Sequence, residues 1–316
     1  MINAAIVGLG RWGQKLVDAT RGSDKIRFTR AVDLAPENVQ AFCDEHELTL
    51  TNKLDDAFGD PDIDAVVLVT PHTQHADQVV AGAAAGKHIL TEKPFALKKA
   101  DGERAAKAMQ EAGLTLGIGH NYRYGAAVWE MKKIIESGKL GEIHHIEGNL
   151  SHQGQLGIQG WRRSRDEAPT GGIVHFGAHI IDIMCWYGGP MREVYAQLES
   201  RIIEHDVGSV LMNTPASFHL QVMGSEGWAR ANGWMDTNKV VTCFGAGKPE
   251  ESGGHTEEIE LPYRDIFTQL RANDENFAAA CMGQEDYLFT PDEMAHTAAV
   301  HEAIAKSAES KLPTAV

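Results

Sequence analysis

Short apolar runs alternate with helix-periodic segments over the first 120 residues. Residues 4–8 (Ala-Ala-Ile-Val-Gly) form an apolar run, and a helical pattern follows through Leu16 and Val17. Residues 28–32 read as a second strand and 36–46 as a helix. Residues 65–69 (Ala-Val-Val-Leu-Val) are almost wholly apolar, as a strand covered on both faces must be. An alanine-rich helix over 75–85 stops at Gly86, and 88–91, 98–112 and 114–118 continue as strand, helix and strand. Strand and helix in such alternation predict an α/β fold built on a doubly wound parallel sheet.

The pattern changes near residue 120. Helices are expected at 126–136 and 175–187. Strand-like runs separated by turn residues cover 143–150, 193–200, 208–212, 216–223, 228–234, 239–244 and 256–261. They predict a large, open, mostly antiparallel sheet. The segment 246–255 reads as a polar loop. Helices return at 265–282 and 291–310, the second started by Thr290-Pro291-Asp292-Glu293, with cap, proline and first-turn acids. The expected division is a doubly wound α/β domain over 1–120 and an α+β domain over 121–316. The alternation through Phe218, Leu220 and Val222, with Trp228 and Trp234, predicts an apolar open face on the second sheet. Such a face seeks a partner, so a homodimer or homotetramer is expected.

Composition narrows the class. The chain has 316 residues, of which 43% are hydrophobic, enough for two cores. A formal net charge of -15 argues against non-specific nucleic-acid binding. The four cysteines, Cys43, Cys185, Cys243 and Cys281, have no short spacing, which matches neither a disulfide framework nor a zinc ribbon and fits a reducing compartment. The N-terminus has no basic n-region, and no apolar stretch reaches the ~18 residues a membrane helix needs. A cytoplasmic protein without membrane partners is the expectation. The sequon Asn149-Leu150-Ser151 carries no weight without a secretion signal.

The first chemical motif is Gly8-Leu9-Gly10-Arg11-Trp12-Gly13, with a strand before it and a helix after it. Gly8 allows the tight turn, Gly10 lets backbone approach a pyrophosphate, and Gly13 lets helix and strand pack closely. Asp33 closes the second strand, where a carboxylate accepts from both ribose hydroxyls and repels a 2′-phosphate. NAD is therefore favoured over NADP, although Arg11 or Arg30 could reach a 2′-phosphate. The second motif, Glu92-Lys93-Pro94, follows the fourth of these strands. Ligands of open parallel sheets bind outside the carboxyl ends of the strands, which sets Lys93 beside the nicotinamide. Alone, a lysine there is more often a solvated charge.

Further segments follow in order: Thr70-Pro71-His72-Thr73-Gln74-His75, Tyr122-Arg123, Trp161-Arg162, and the run from Gly171 through His175 and His179 to Asp182. This order and spacing resemble the Gfo/Idh/MocA oxidoreductases, the family of glucose–fructose oxidoreductase and the inositol dehydrogenases. The resemblance covers nearly the whole chain, and it implies a dinucleotide-binding Rossmann domain over 1–120 and a substrate-binding and oligomerisation α+β domain over 121–316. It implies an NAD(P)-dependent dehydrogenase acting on a carbinol or ketone carbon of a sugar, cyclitol or related ring. It also implies that Lys93 polarises the reacting oxygen and His179 serves as acid/base. Thr70, Pro71, His75, Glu92 and Lys93 would border the cofactor, with Gly8, Gly10, Arg11, Trp12, Gly13 and Asp33. Tyr122, Arg123, Trp161, Arg162, His175 and His179 are the candidate substrate contacts, Trp161 otherwise being core and the arginines surface or interface charges. His120 and His152 have position alone in their favour.

One departure matters. The family pattern has an aspartate four residues before the histidine, and His175 stands there. On a regular helix the two share a face, so His179 would titrate low or His175 would itself touch substrate as a third catalytic candidate. The pair with Asp182 also resembles a zinc-binding helix face, but Phe176 stands where a zincin has glutamate, and no metal is expected. Two other functions stay open: a non-sugar substrate such as a cyclic dihydrodiol, an imine or an acid read by Arg123 and Arg162, and a non-catalytic dinucleotide-binding protein.

Overall fold

The computed structural model describes residues 1–151, 161, 164–198, 217–233, 236–245 and 255–316. The expected strand at 208–212, the loop over 246–254, and His152, Arg162 and Trp234 lie outside the described residues.

Six parallel strands form the first sheet: β1 (Ile2–Val7), β2 (Ile26–Val32), β3 (Thr49–Thr51), β4 (Ala65–Leu68), β5 (His88–Thr91) and β6 (Leu116–Ile118). Their order is β3-β2-β1-β4-β5-β6. The order reverses between β1 and β4, and the crevice at that switch point is where such sheets bind dinucleotides. Both faces are covered, so both sides of each central strand are apolar. On one face Ala4 and Ile6 pack with Leu16 and Val17 of α1 (Arg11–Thr20), with Cys43 of α2 (Gln40–Glu45), and with Leu270 and Phe277 of α8 (Ile266–Cys281). On the other, Ala5 and Val7 share a cluster with Phe58 of α3 (Asp55–Phe58), Val79 of α4 (His75–Ala84) and Met109 of α5 (Lys99–Ala112). Ala298 of α9 (Pro291–Ser310) joins that cluster. Helices from the end of the chain thus complete both layers over the first sheet.

The second sheet has the order β12-β11-β10-β9-β7 and is antiparallel throughout: β7 (Ile143–Ser151), β9 (Ser217–Gly224), β10 (Gly227–Gly233), β11 (Lys239–Phe244) and β12 (His255–Glu260). Two helices, α6 (Ala126–Glu136) and α7 (Ala178–Gly188), cover one face. That face carries Phe218, Leu220 and Val222. The alternation seen in the sequence is therefore the covered side, not the open one. Cross-strand neighbours on the other side include Glu147, Gln221, Arg230 and Glu258, with Trp228 beneath the Arg230 guanidinium. This open face is mainly polar, since pleating sends alternate residues to opposite sides and the apolar set goes to the helices.

Two expected elements change. Of the run expected at 193–200, the described residues 193–198 form β8 (Glu193–Val194), which pairs with β13 (Thr314–Ala315) and not with the large sheet. Ser307 Oγ of α9 accepts from the Ala196 amide and holds the chain there. The expected helix at 175–187 begins as a π-helical turn, Ile173–Gly177, before α7. At the last long helix, Thr290 and Glu293 form a full capping box.

Candidate active site

The glycine loop is shaped by close backbone approaches. Gly8 has φ +90°, and a Cβ on it would lie 2.6 Å from the Val69 carbonyl oxygen. A Cβ at Gly13 would lie 2.3 Å from the Gly8 oxygen. Only glycine fits either position. Around Gly10, by contrast, a Cβ would meet nothing within 4 Å. Gly10 is also the N-cap of α1, with no side chain on the helix's free amides and no acid in its first turn. An open approach to a bare helix N-terminus is what a pyrophosphate requires. Asp33 accepts from the Leu9 amide through Oδ2 at 2.8 Å and from the Ala35 amide through Oδ1 at 3.0 Å. Each oxygen keeps acceptor capacity for a ribose hydroxyl. Arg30 is committed to Asp60 at 2.6 Å, whereas Arg11 is exposed.

Glu92, Lys93 and Pro94 follow β5, and the Lys93–Pro94 peptide is cis. Glu92 is buried and receives Trp12 Nε1 at 2.7 Å and the Lys93 amide at 3.1 Å, tying this loop to the start of α1. A side chain at Gly119 would collide with the Glu92 carboxylate at 2.5 Å. Behind the loop His75 is fully buried, with Nδ1 2.8 Å from the Pro94 oxygen and Nε2 3.0 Å from the Thr70 oxygen. It holds the ends of β4 and β5 together. Burial lowers its pKa, while the two carbonyls facing its ring nitrogens pull the other way. The Thr70 hydroxyl is fixed by Gln78 at 2.6 Å.

From this edge Lys93 reaches across the cleft, and its Nζ donates to the His175 carbonyl at 2.7 Å. His179 lies on the same side, 5% exposed, its ring 4.0 Å from that of Tyr122 and 5.4 Å from that of His120. Burial, then the charge of Lys93, then His120 hold the His179 pKa well below its ordinary value. The site therefore pairs a fixed cation with a neutral imidazole. Burial raises the Tyr122 pKa, so its hydroxyl stays protonated.

His175 and His179 do not stack on one face. The π turn is wider than an α turn, which offsets positions four apart across the junction. The His175 ring goes to His72, at 5.6 Å, and His179 goes to Tyr122 and His120. Trp161 meets His72 edge-on at 4.8 Å.

Arg123 does not face the cleft. Its side chain is 1% exposed and grips Asp182 with Nε at 2.9 Å and Nη2 at 2.8 Å. Nη1 lies 3.4 Å from Glu293, and the guanidinium stacks over Phe289 at 4.0 Å. Its fork is thus used in fixing the 121–124 turn to α7, leaving it no part in reading a substrate carboxylate. Both Asp182 oxygens are engaged by the same pair.

The sequence reading passed over His72. Its Nδ1 donates to the Glu167 carbonyl at 2.6 Å, while the Glu167 carboxylate takes the Thr73 amide at 3.0 Å and the Thr73 hydroxyl at 2.6 Å. This clasp ties the chain just before the π turn to the end of β4. Burial lowers the His72 pKa strongly, with His75 adding to the effect. Only its place inside the Thr-Pro-x-x-x-His segment could have signalled it.

A Gly-rich turn on a helix N-terminus, an acid closing the second strand and a lysine at the switch point are the features of a dinucleotide-binding oxidoreductase. Family comparison makes this specific. Residues 2–120 match the oxidoreductase family, NAD-binding Rossmann fold, of the Gfo/Idh/MocA group, and residues 128–232 match that group's C-terminal domain. The chain belongs to the Gfo/Idh/MocA family. Among curated relatives, the 1,5-anhydro-D-fructose reductase of Ensifer adhaerens is 37% identical over 42% of this chain and 39% of its own length. The NADP-dependent scyllo-inositol 2-dehydrogenase IolW of Bacillus subtilis is 28% identical over 57% of this chain and 50% of its own. The matched stretches thus span half or less of those relatives. A levoglucosan dehydrogenase solved with NADH has the same fold, with a TM-score of 0.87 at 20% identity over 100% of this chain and 99% of that one. Among the described residues, no helix is long and apolar enough to cross a membrane.

Proposed function

We propose that the protein transfers a hydride between a nicotinamide cofactor and a carbinol or ketone carbon on the ring of a sugar, cyclitol or related polyol. The observation that carries this reading is Lys93, held by the His175 carbonyl at 2.7 Å, acting electrostatically on the buried imidazole of His179. The Gly8–Gly13 loop and Asp33 would hold the cofactor, which would supply the hydride acceptor. NAD is favoured over NADP because each Asp33 oxygen keeps acceptor capacity for a ribose hydroxyl beside its backbone bond, and Arg30 is held by Asp60.

In the oxidation direction His179 takes the hydroxyl proton, and its suppressed basicity keeps it unprotonated and ready near neutral pH. Lys93 stabilises the developing alkoxide by charge and hydrogen bonding; the His175 carbonyl aims its Nζ. The same groups run in reverse reduce a ketone. Trp161 and His175, half-buried and packed against the buried His72, would offer ring surface to a polyol. The use of Arg123 in the core favours a neutral substrate over an acidic one. The relatives named for anhydro-sugar and inositol chemistry point the same way.

The test is NADH formation over a panel of sugars, anhydro-sugars and cyclitols, with Lys93→Ala as the control. Turnover that survives Lys93→Ala sinks the mechanism. Silence of the wild type, with NAD binding intact, favours a non-catalytic dinucleotide-binding protein.

A further inference from the structure

Two sets of contacts fasten the chain that precedes α7 to the first sheet. One is the bond from Lys93 Nζ, beyond β5, to the His175 carbonyl at 2.7 Å. The other is made by Glu167 to the turn after β4. The Glu167 carbonyl accepts from His72 Nδ1 at 2.6 Å, and its carboxylate accepts from the Thr73 amide at 3.0 Å and the Thr73 hydroxyl at 2.6 Å. Glu167 thus bonds two successive residues that lie 95 and 94 positions away in the chain. His72 gathers the neighbouring parts, its ring 4.8 Å from that of Trp161 and 5.6 Å from that of His175.

A carboxylate has a physical reason to sit there. The 3-10 turn His72–Gln74 opens the helical stretch that continues as α4, and it has no cap of its own: Pro71 stands at its N-cap, and its first turn holds no acid. The Thr73 amide therefore takes its acceptor from another part of the chain, and the positive end of a helix favours an anion. From Glu167 onward the backbone is braced by successive turns. Ala168 N donates to the Ser164 carbonyl at 3.0 Å, Gly171 N to the Ala168 carbonyl at 3.0 Å, and His175 N to the Gly171 carbonyl at 3.3 Å. A shift at Glu167 is passed along these turns to His175, whose carbonyl holds Lys93.

We propose that Glu167 is a positioning residue of this site: seated on Thr73, its carboxylate sets the place of the His175 carbonyl and, through it, of the Lys93 ammonium. This rests on the reaction proposed above, in which Lys93 meets the reacting oxygen. The effect of Glu167 reaches the substrate through the lysine. Misplacing a reacting group by about 1 Å costs up to roughly a hundredfold in rate, so a clasp outside the reacting centre can govern the chemical step.

Two measurements decide this. The first compares wild type, Glu167→Ala, Glu167→Gln and Thr73→Val by kcat and KM, with each kcat taken per enzyme that binds NADH. Glu167→Ala is expected to lose about ten- to a hundredfold in kcat with KM for NAD unchanged. Glutamine should rescue most of that loss, because its oxygen accepts from the Thr73 amide while its NH2 donates to the Thr73 hydroxyl oxygen. Thr73→Val, at an exposed position, should lose less than Glu167→Ala, and adding it to Glu167→Ala should cost nothing more. Wild-type kcat in Glu167→Ala overturns the proposal, as do a glutamine variant no faster than the alanine one and losses that multiply in the double variant. A clasp that only stabilised the fold would lower Tm and leave kcat per binding enzyme as in wild type. The second measurement is amide hydrogen exchange over 171–177 in wild type and Glu167→Ala, without substrate. Faster exchange in the variant is expected, and equal exchange overturns the proposal. Should Glu167→Ala not fold, Thr73→Val carries both measurements. The exchange needs no turnover, so a silent substrate panel would sink the reaction while the exchange still decides the positioning.

Discussion

Asp182→Asn isolates what the buried Arg123–Asp182 pair does. Both side chains are at most 2% exposed, and two short contacts join them. Removing the carboxylate's charge leaves a guanidinium in the core with Glu293, itself 38% exposed, at 3.4 Å as the remaining acid among the described residues, and the Leu288 carbonyl at 3.5 Å. Breaking a buried pair from one side costs about 3–5 kcal/mol, because the remaining charge is stranded. For a unit of this size each kcal/mol moves Tm by roughly 2–4 °C, so a fall of about 6–20 °C is expected by circular dichroism. A double variant, Arg123→Met with Asp182→Leu, removes both charges and should recover most of the loss, since apolar replacement of a buried pair is often neutral. A Tm within about 2 °C of wild type for Asp182→Asn would refute the reasoning, as would a double variant less stable than the single.

Other expectations follow from the same contacts. Gly119→Ala pushes a methyl into the Glu92 carboxylate and should break its bond to Trp12, weakening NAD binding measurably by calorimetry at about 1–3 kcal/mol of strain. Asp33→Ser should lower affinity for NAD and raise it for NADP, read as a reversal in relative KM. Stability should fall on mild acidification. His120 and His301 have pKa values lowered to about 4 and about 3, against 6.5 in the unfolded chain. Below pH 6.5 the unfolded state binds protons the folded state refuses, so stability is full above that value and declines as pH drops toward 4, by several kcal/mol in order of magnitude. His301→Leu should flatten the drop in Tm between pH 7 and 5; an equal slope would count against it.

The first half of the fold was legible because its strands are buried on both faces and its glycines have one geometric use each. Asp33 could be placed by its spacing after the glycine motif, and Lys93 by the sheet rule together with the motifs that follow it. β3 and α3 were passed over because three or four residues carry no period. The apolar alternation through Phe218 to Val222 was visible, but a period of two does not say which face the helices will cover. The Arg123–Asp182 pair joins residues 59 apart, so nothing local marks it. The π turn leaves no sequence signature, and it is what sends His175 to His72 and separates it from His179. Single histidines such as His72 and His120 acquire meaning only from their neighbours in space.

The return of α8 and α9 to the first sheet sets the order in which the molecule can be completed during synthesis. Leu270 and Phe277 cover one face of that sheet and Ala298 closes against the other, with Gly102 so near that a Cβ there would lie 2.9 Å from it. Until those residues leave the ribosome, the nascent cofactor-binding half exposes apolar surface on both sides. It cannot mature as an early, independent unit while translation of the rest continues. Nascent chains stalled before residue 266 should therefore engage holding chaperones, and dinucleotide binding should emerge only with the last helix.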